Sequence, residues 1–161
     1  MQTKTYTTID RNSLGWPSGE WDGEPDKVQW EDASTGLPCL AVRSPFMGNW
    51  CGYVGVTDDH PLHGLDWEDV DIVAHGGITY AGSCQPEEDE SIGICHLPDA
   101  GEPDHVWWFG FDCAHAGDWC PTMAKHQRDR GYPFTKGSGE SYKTLEYVKQ
   151  QCEELASQLA R

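Results

Sequence analysis

Apolar and polar positions change rhythm along this chain. Residues 10–37, DRNSLGWPSGEWDGEPDKVQWEDASTGL, mix Gly, Pro, Asp and Trp with neither the strand nor the helix period. We read residues 1–37 as an irregular N-terminal arm pinned to the body by Trp16, Trp21 and Trp30, because large aromatic side chains bury enough surface to order a loop. Short apolar runs follow. PCLAVR (38–43) and WCGYVGV (50–56) read as strands, with residues 44–49 as the turn between them. In the second run Trp50, Gly52, Val54 and Val56 share one face; Cys51, Tyr53 and Gly55 share the other. VDIVAHGGITYA (70–81) predicts a strand interrupted at Gly76-Gly77, and SIGICH (91–96) predicts another. HVWWFGFD (105–112) is bulky at odd and even positions alike, which predicts a strand buried on both faces.

Beyond residue 118 the period lengthens. Residues 121–130 begin with Pro and stop before Gly131, the marks of a short helix. Residues 131–140 read as a Gly-rich connector. Residues 141–160 predict the clearest helix, since Leu145, Val148, Cys152, Leu155 and Leu159 step by three and four along one stripe. The elements sum to an α+β fold: a mainly antiparallel β-sheet with a C-terminal amphipathic helix packed on it. The 161 residues fit a single domain, with the arm at 1–37, the sheet at 38–118 and a helical C-terminal part at 119–161.

Charge narrows the function. Eleven Lys and Arg face 27 Asp and Glu, for a formal charge of −16. That balance argues against nucleic acid and against anionic membrane surfaces as partners. No apolar run approaches the roughly 20 residues of a membrane-spanning helix. The opening MQTKTYTTIDRNSLGW has no apolar h-region, so no signal peptide is expected. The expected setting is cytosolic. There the seven cysteines, at 39, 51, 84, 95, 113, 120 and 152, read as reduced and mostly buried thiols. Cys113, close to His115, is the candidate nucleophile among them.

The charge is also unevenly spread. The 81 residues from 44 to 124 hold no Lys or Arg, fifteen Asp and Glu, and six of the seven histidines. Such a segment carries a strong negative field. It suits a divalent metal or a basic protein partner directly, whereas a phosphate would need donors from elsewhere.

Two stretches in this segment carry site chemistry. In both, a strand runs into small residues beside a histidine: Ala74-His75-Gly76-Gly77, and the run from Gly110 to Asp118. His75, Asp112 and His115 are the candidate catalytic residues, as a His base oriented by an Asp. The same three are the candidate ligands of a divalent metal, if one binds. His60, Gly76, Gly77 and Asp118 are the candidate ligand-binding residues, the glycines because they let a ligand approach the backbone.

HGGITYAG (75–82), WWFGFDCAHAGD (107–118) and YKTLEYVKQQCEELASQLA (142–160), in that order, resemble a family of small hypothetical bacteriophage proteins. WDGEPDKVQW (21–30) and the 51–64 segment resemble its actinobacterial-phage versions. The resemblance implies an accessory protein acting in the host cytoplasm, in host take-over or counter-defence. With the His/Asp stretches, the expected function is to bind or turn over a small ligand, nucleotides among the candidates. The alternatives are a non-enzymatic acidic inhibitor of a host protein and a metal-dependent hydrolase.

Overall fold

The two runs with the clearest strand pattern become neighbours at the centre of one sheet. A computed structural model describes residues 1–85, 88–130 and 140–161. Its strands are β1 (Lys4–Tyr6), β2 (Lys27–Glu31), β3 (Pro38–Arg43), β4 (Trp50–Val56), β5 (Tyr80–Ser83), β6 (Trp107–Asp112), β7 (Asp118–Trp119) and β8 (Ser141–Tyr142). Its helices are α1 (Arg11–Leu14), α2 (Pro121–Arg130) and α3 (Leu145–Leu159), with a 3-10 turn at Trp67–Asp69. Six strands form an antiparallel sheet in the order β1-β2-β3-β4-β6-β5. β7 and β8 form a separate parallel pair. Among the described residues no helix is long and apolar enough to cross a membrane.

The α+β expectation holds. α3 packs on β4 and β3. Its stripe of Val148, Cys152, Leu155 and Leu159 is buried with Trp50, Val54, Phe109 and Phe111. Gly52 allows this close approach, because a Cβ there would overlap the Phe111 ring and lie 3.0 Å from Cys152 Sγ. The other sheet face buries Leu40, Tyr53, Val106 and Trp108. The alternation read along 50–56 and the double burial of β6 therefore both appear. At the start of α3, Thr144 Oγ1 accepts from the Tyr147 N–H at 3.2 Å and Glu24 Oε2 from the Leu145 N–H at 2.6 Å. Both satisfy amides that the helix leaves open, and the carboxylate also suits the helix dipole.

Four expectations need correction. The arm is not wholly irregular: it contributes α1 and the paired strands β1 and β2, while Trp16, Trp21 and Trp30 are buried as expected. Residues 70–79 are not a strand. Val73 exchanges its N–H and C=O with the Gln158 side chain, each bond 2.8 Å, and the His75 N–H donates to Gln151 Oε1. Two glutamines of α3 thus supply the partners a neighbouring strand would give, and Gly76 and Gly77, both at positive φ, turn the chain into β5. Residues 91–96 are not a strand either. Lys27 donates to the carbonyls of Glu90, Gly93 and Cys95, and Gln29 brackets the backbone of Leu97. Finally, α3 begins at Leu145, because residues 141–142 pair with β7. The connector expected at 131–140 lies, apart from Glu140, outside the described residues.

The cysteines also depart from expectation. Cys84 and Cys95 form a disulfide, their Cα atoms 4.7 Å apart. Cys39, Cys51, Cys113, Cys120 and Cys152 are free, and all but the half-buried Cys51 are buried.

Candidate functional site

Three segments meet beside the first turns of α3. The 70–79 segment brings His75, the 113–118 turn brings His115 and Asp118, and α3 with its lead-in brings Lys143 and Tyr147. Gly76, at φ +69°, lies under the His115 ring, where a Cβ would overlap it. Only a residue without a side chain lets the two loops approach this closely.

Asp118 is the hub. Its side chain is 2% exposed. Its two oxygens lie 3.0 and 2.9 Å from His75 Nε2, and Oδ2 accepts from the His115 backbone N–H at 3.0 Å. Lys143 Nζ stands 3.2 Å from Oδ1. Burial pushes the Asp118 carboxyl up, but His75, the His115 N–H and Lys143 outweigh it and hold it below the usual carboxylate range. Because the carboxylate only accepts, Nε2 of His75 donates to it, while Nδ1 lies 2.8 Å from the Tyr147 hydroxyl. Asp118, His75 and Tyr147 form one hydrogen-bonded relay. Burial, with Cys113 and Asp118 nearby, raises the Tyr147 hydroxyl, so Tyr147 holds its proton.

His115 is placed differently. Its Nδ1 is buried, 3.4 Å from Asp112 Oδ1 and 3.9 Å from Asp118 Oδ2, and makes no hydrogen bond among the described residues. Beside it opens a cavity of about 220 Å³ whose lining includes His115, Asp118, Glu140, Met47, Cys120 and Met123. Glu140 Oε2 is likewise buried and without a partner among the described residues. The described lining contains no Lys or Arg.

The expected residues are partly brought together. His75, His115 and Asp118 converge, with ligand atoms within 4.8 Å of one another. Asp112 stands outside that group and binds Thr79 Oγ1 and the Ala114 N–H, each at 3.1 Å, so Asp118 takes the central role expected of Asp112. Gly76 is part of the site through its contact with His115, whereas Gly77 faces open space. His60 is elsewhere: Nε2 meets the Leu159 carbonyl at 2.7 Å, twelve residues and about 18 Å of helix from Tyr147. It satisfies an end carbonyl of α3. Burial, with Asp118 adding to it, pushes the Cys113 thiol up, which opposes the nucleophile expected there.

Sequence reasoning missed Tyr147, Lys143 and Glu140. A signal existed for the first. Tyr147, Gln151, Glu154 and Gln158 step by four, three and four along a second stripe of α3, polar instead of apolar. No family model, curated protein or solved structure matches the chain.

Proposed function

We propose that the protein binds, and by proton transfer turns over, a small donor-bearing ligand in the His115–Asp118–Glu140 cavity. The observation that carries this is a cavity faced by two buried polar atoms, the acceptor Glu140 Oε2 and the ring nitrogen His115 Nδ1, neither of which makes a hydrogen bond among the described residues. A buried polar atom without a partner costs about 1–3 kcal/mol, which a ligand N–H or O–H recovers. Asp118 lines the cavity and is hydrogen-bonded to His75, which in turn meets Tyr147, so the relay reaches the ligand through Asp118. At about 220 Å³ the cavity falls below the range of roughly 300 Å³ upward typical of drug-sized ligands. Its carboxylates, and a described lining without Lys or Arg, favour an amine or amino-substituted ring over a phosphate. The setting we propose, an accessory role in the cytoplasm of a phage-infected host, rests on the sequence resemblance alone.

A panel of small amines, nucleobases and nucleosides, read by thermal shift and product analysis, tests the reading. A ligand at a hundredfold excess over its Kd adds about 2.7 kcal/mol and raises Tm by roughly 5–10 °C. We expect that shift to vanish in Glu140→Gln and His115→Ala while the free variants stay folded. If His75→Ala and His115→Ala both unfold the chain, these residues are structural and the reading fails. Unchanged binding in all folded variants also ends it.

The convergence of His75, His115 and Asp118 favours a second reading, a divalent transition metal held by two imidazoles and a carboxylate. Tyr147 on His75 Nδ1 is the kind of outer partner that orients a metal-binding imidazole. The Lys143 ammonium beside Asp118 opposes it. Elemental analysis of protein purified without chelator decides: a stoichiometric metal lost in His75→Ala supports it, and a metal-free chain removes it.

A further inference from the structure

A second cluster lies on the sheet face that α3 does not cover. Cys84, just past β5, packs against the group of Leu40, Tyr53, Val106 and Trp108. It is disulfide-bonded to Cys95, and both cysteines are half-buried, so a reductant can reach them. His96, next in sequence, is only 6% exposed and lies edge-on to Trp108. Its Nδ1 is buried and has no hydrogen-bond partner among the described residues. A disulfide alone gives no reason for that orphaned nitrogen. One ring nitrogen of His96 and both sulfurs lie within 4.8 Å of one another.

Two further contacts suit sulfur that carries charge. Trp108 Nε1 donates to Cys84 Sγ at 3.3 Å, and an N–H aimed at sulfur stabilises a thiolate. Lys27, buried in β2, donates to the backbone carbonyls of Glu90, of Gly93 at 2.7 Å and of Cys95 at 2.9 Å. The backbone that carries Cys95 and His96 is therefore tied to the sheet by bonds independent of the sulfur–sulfur bond.

We propose that reduction turns this pair into a metal site in which Cys84, Cys95 and His96 hold one zinc-type divalent ion. A dithiol reductant breaks the Sγ–Sγ bond. Two electrons and two protons pass to Cys84 and Cys95, and the dithiol closes to its own disulfide. The ion then displaces both thiol protons to water. Zn–S bonds of about 2.3 Å and a Zn–N bond of about 2.0 Å set tetrahedral ligand atoms roughly 3.5–3.8 Å apart, within reach of side-chain rotation here. Two thiolates and an imidazole select a borderline-soft ion over magnesium or calcium. The fourth position falls to water or an added ligand. The same residues are thus a covalent clasp in an oxidising compartment and a metal centre in a reducing one.

The test is cobalt(II) titration of the full chain, oxidised and phosphine-reduced, without oxygen, followed by zinc competition. We expect one cobalt per reduced chain with thiolate-to-metal charge-transfer absorption, displaced by one zinc, and no such band in the oxidised chain. Cys84→Ser and Cys95→Ser should abolish the band, and His96→Asn should weaken binding by about a hundredfold. Circular dichroism establishes that each variant is folded. His75→Ala should keep the band, which separates this site from the cavity cluster. A folded, reduced wild-type chain without the band overturns the proposal. So does a full band in Cys84→Ser, or a reduced chain that unfolds and is not refolded by zinc.

Discussion

Two buried carboxylate clusters touch the first turns of α3, and they are finished differently. In the first, Asp26 accepts from the Thr8 and Ile9 N–H groups, from Arg11 at 2.7 Å and from Arg43 Nε at 3.1 Å. Glu24 accepts from the Tyr142 hydroxyl at 2.5 Å, from Trp50 Nε1 and from the Leu145 N–H. Arg43 is fully buried and also donates to the carbonyls of Gly48 and Pro25. In the second, Asp118 is as deeply buried, but among the described residues its Lys or Arg partner is a half-buried Lys143, and the neighbouring His115 Nδ1 and Glu140 Oε2 make no hydrogen bond there. The first cluster is closed and ties the arm, the sheet and α3 together. The second is open on the side that faces a cavity. Burial of charge alone does not mark a site; incomplete satisfaction around a cavity does.

The sharpest way to break this contrast is Arg43→Ala. It strips a cation from Asp26 and Glu24 inside the protein, and removing one partner of a buried pair costs about 3–5 kcal/mol. Chemical denaturation should show a loss of that size, a large share of an ordinary domain's stability of about 5–15 kcal/mol. Arg43→Lys should recover only part, because an ammonium lacks the fork that spans both carboxylates and two carbonyls. A near-neutral Arg43→Ala would mean that the first cluster is no more structural than the second.

Gly76→Ala comes next. The positive φ costs about 1–2 kcal/mol and overlap with the His115 ring adds about 1–3 kcal/mol. Denaturation should show a loss of roughly 2–5 kcal/mol, with ligand binding abolished as His115 is displaced. Retained binding would place the ligand away from His115.

Asp118→Asn should cost less, about 1.5–3 kcal/mol at neutral pH, the range for hydrogen bonds to a charged group. Its folded carboxyl titrates below its unfolded value of about 3.9. The stability it contributes is therefore complete above that value and is lost as pH falls through the lower folded one. Denaturation curves of wild type and variant should converge below about pH 4. A gap that persists in acid would show that Asp118 acts through shape, not charge.

Much of this architecture was legible in the sequence, but not the partners of its irregular segments. β3, β4, β6 and the buried stripe of α3 follow from period alone, because each buries its own apolar face. Residues 70–79 and 91–96 carry the same apolar pattern, yet their backbones bond to the side chains of Gln151, Gln158 and Lys27. Polar side chains replacing a strand leave no periodic trace in the segment they pair with. The cavity histidines were legible as types beside glycines. Their geometry was not, because Asp112 and Asp118 flank His115 at equal spacing and only the turn decides which one is buried. Tyr147 could have been found, since a polar stripe opposite loop-rich sequence needs an occupant.

The smallest effect separates backbone from contact. Gly77 shares the turn with Gly76 and has φ +91°, but a Cβ there meets nothing within 4 Å. Gly77→Ala should therefore carry backbone strain alone, about 1–2 kcal/mol, and leave His115 in place. Thermal shift with any ligand found for the wild-type chain should be unchanged once corrected for the lower starting Tm. If Gly77→Ala also loses binding, the cavity depends on the exact path of the whole turn and not on the contact between Gly76 and His115. The open cluster would then be held by backbone geometry, as the closed one is held by charge.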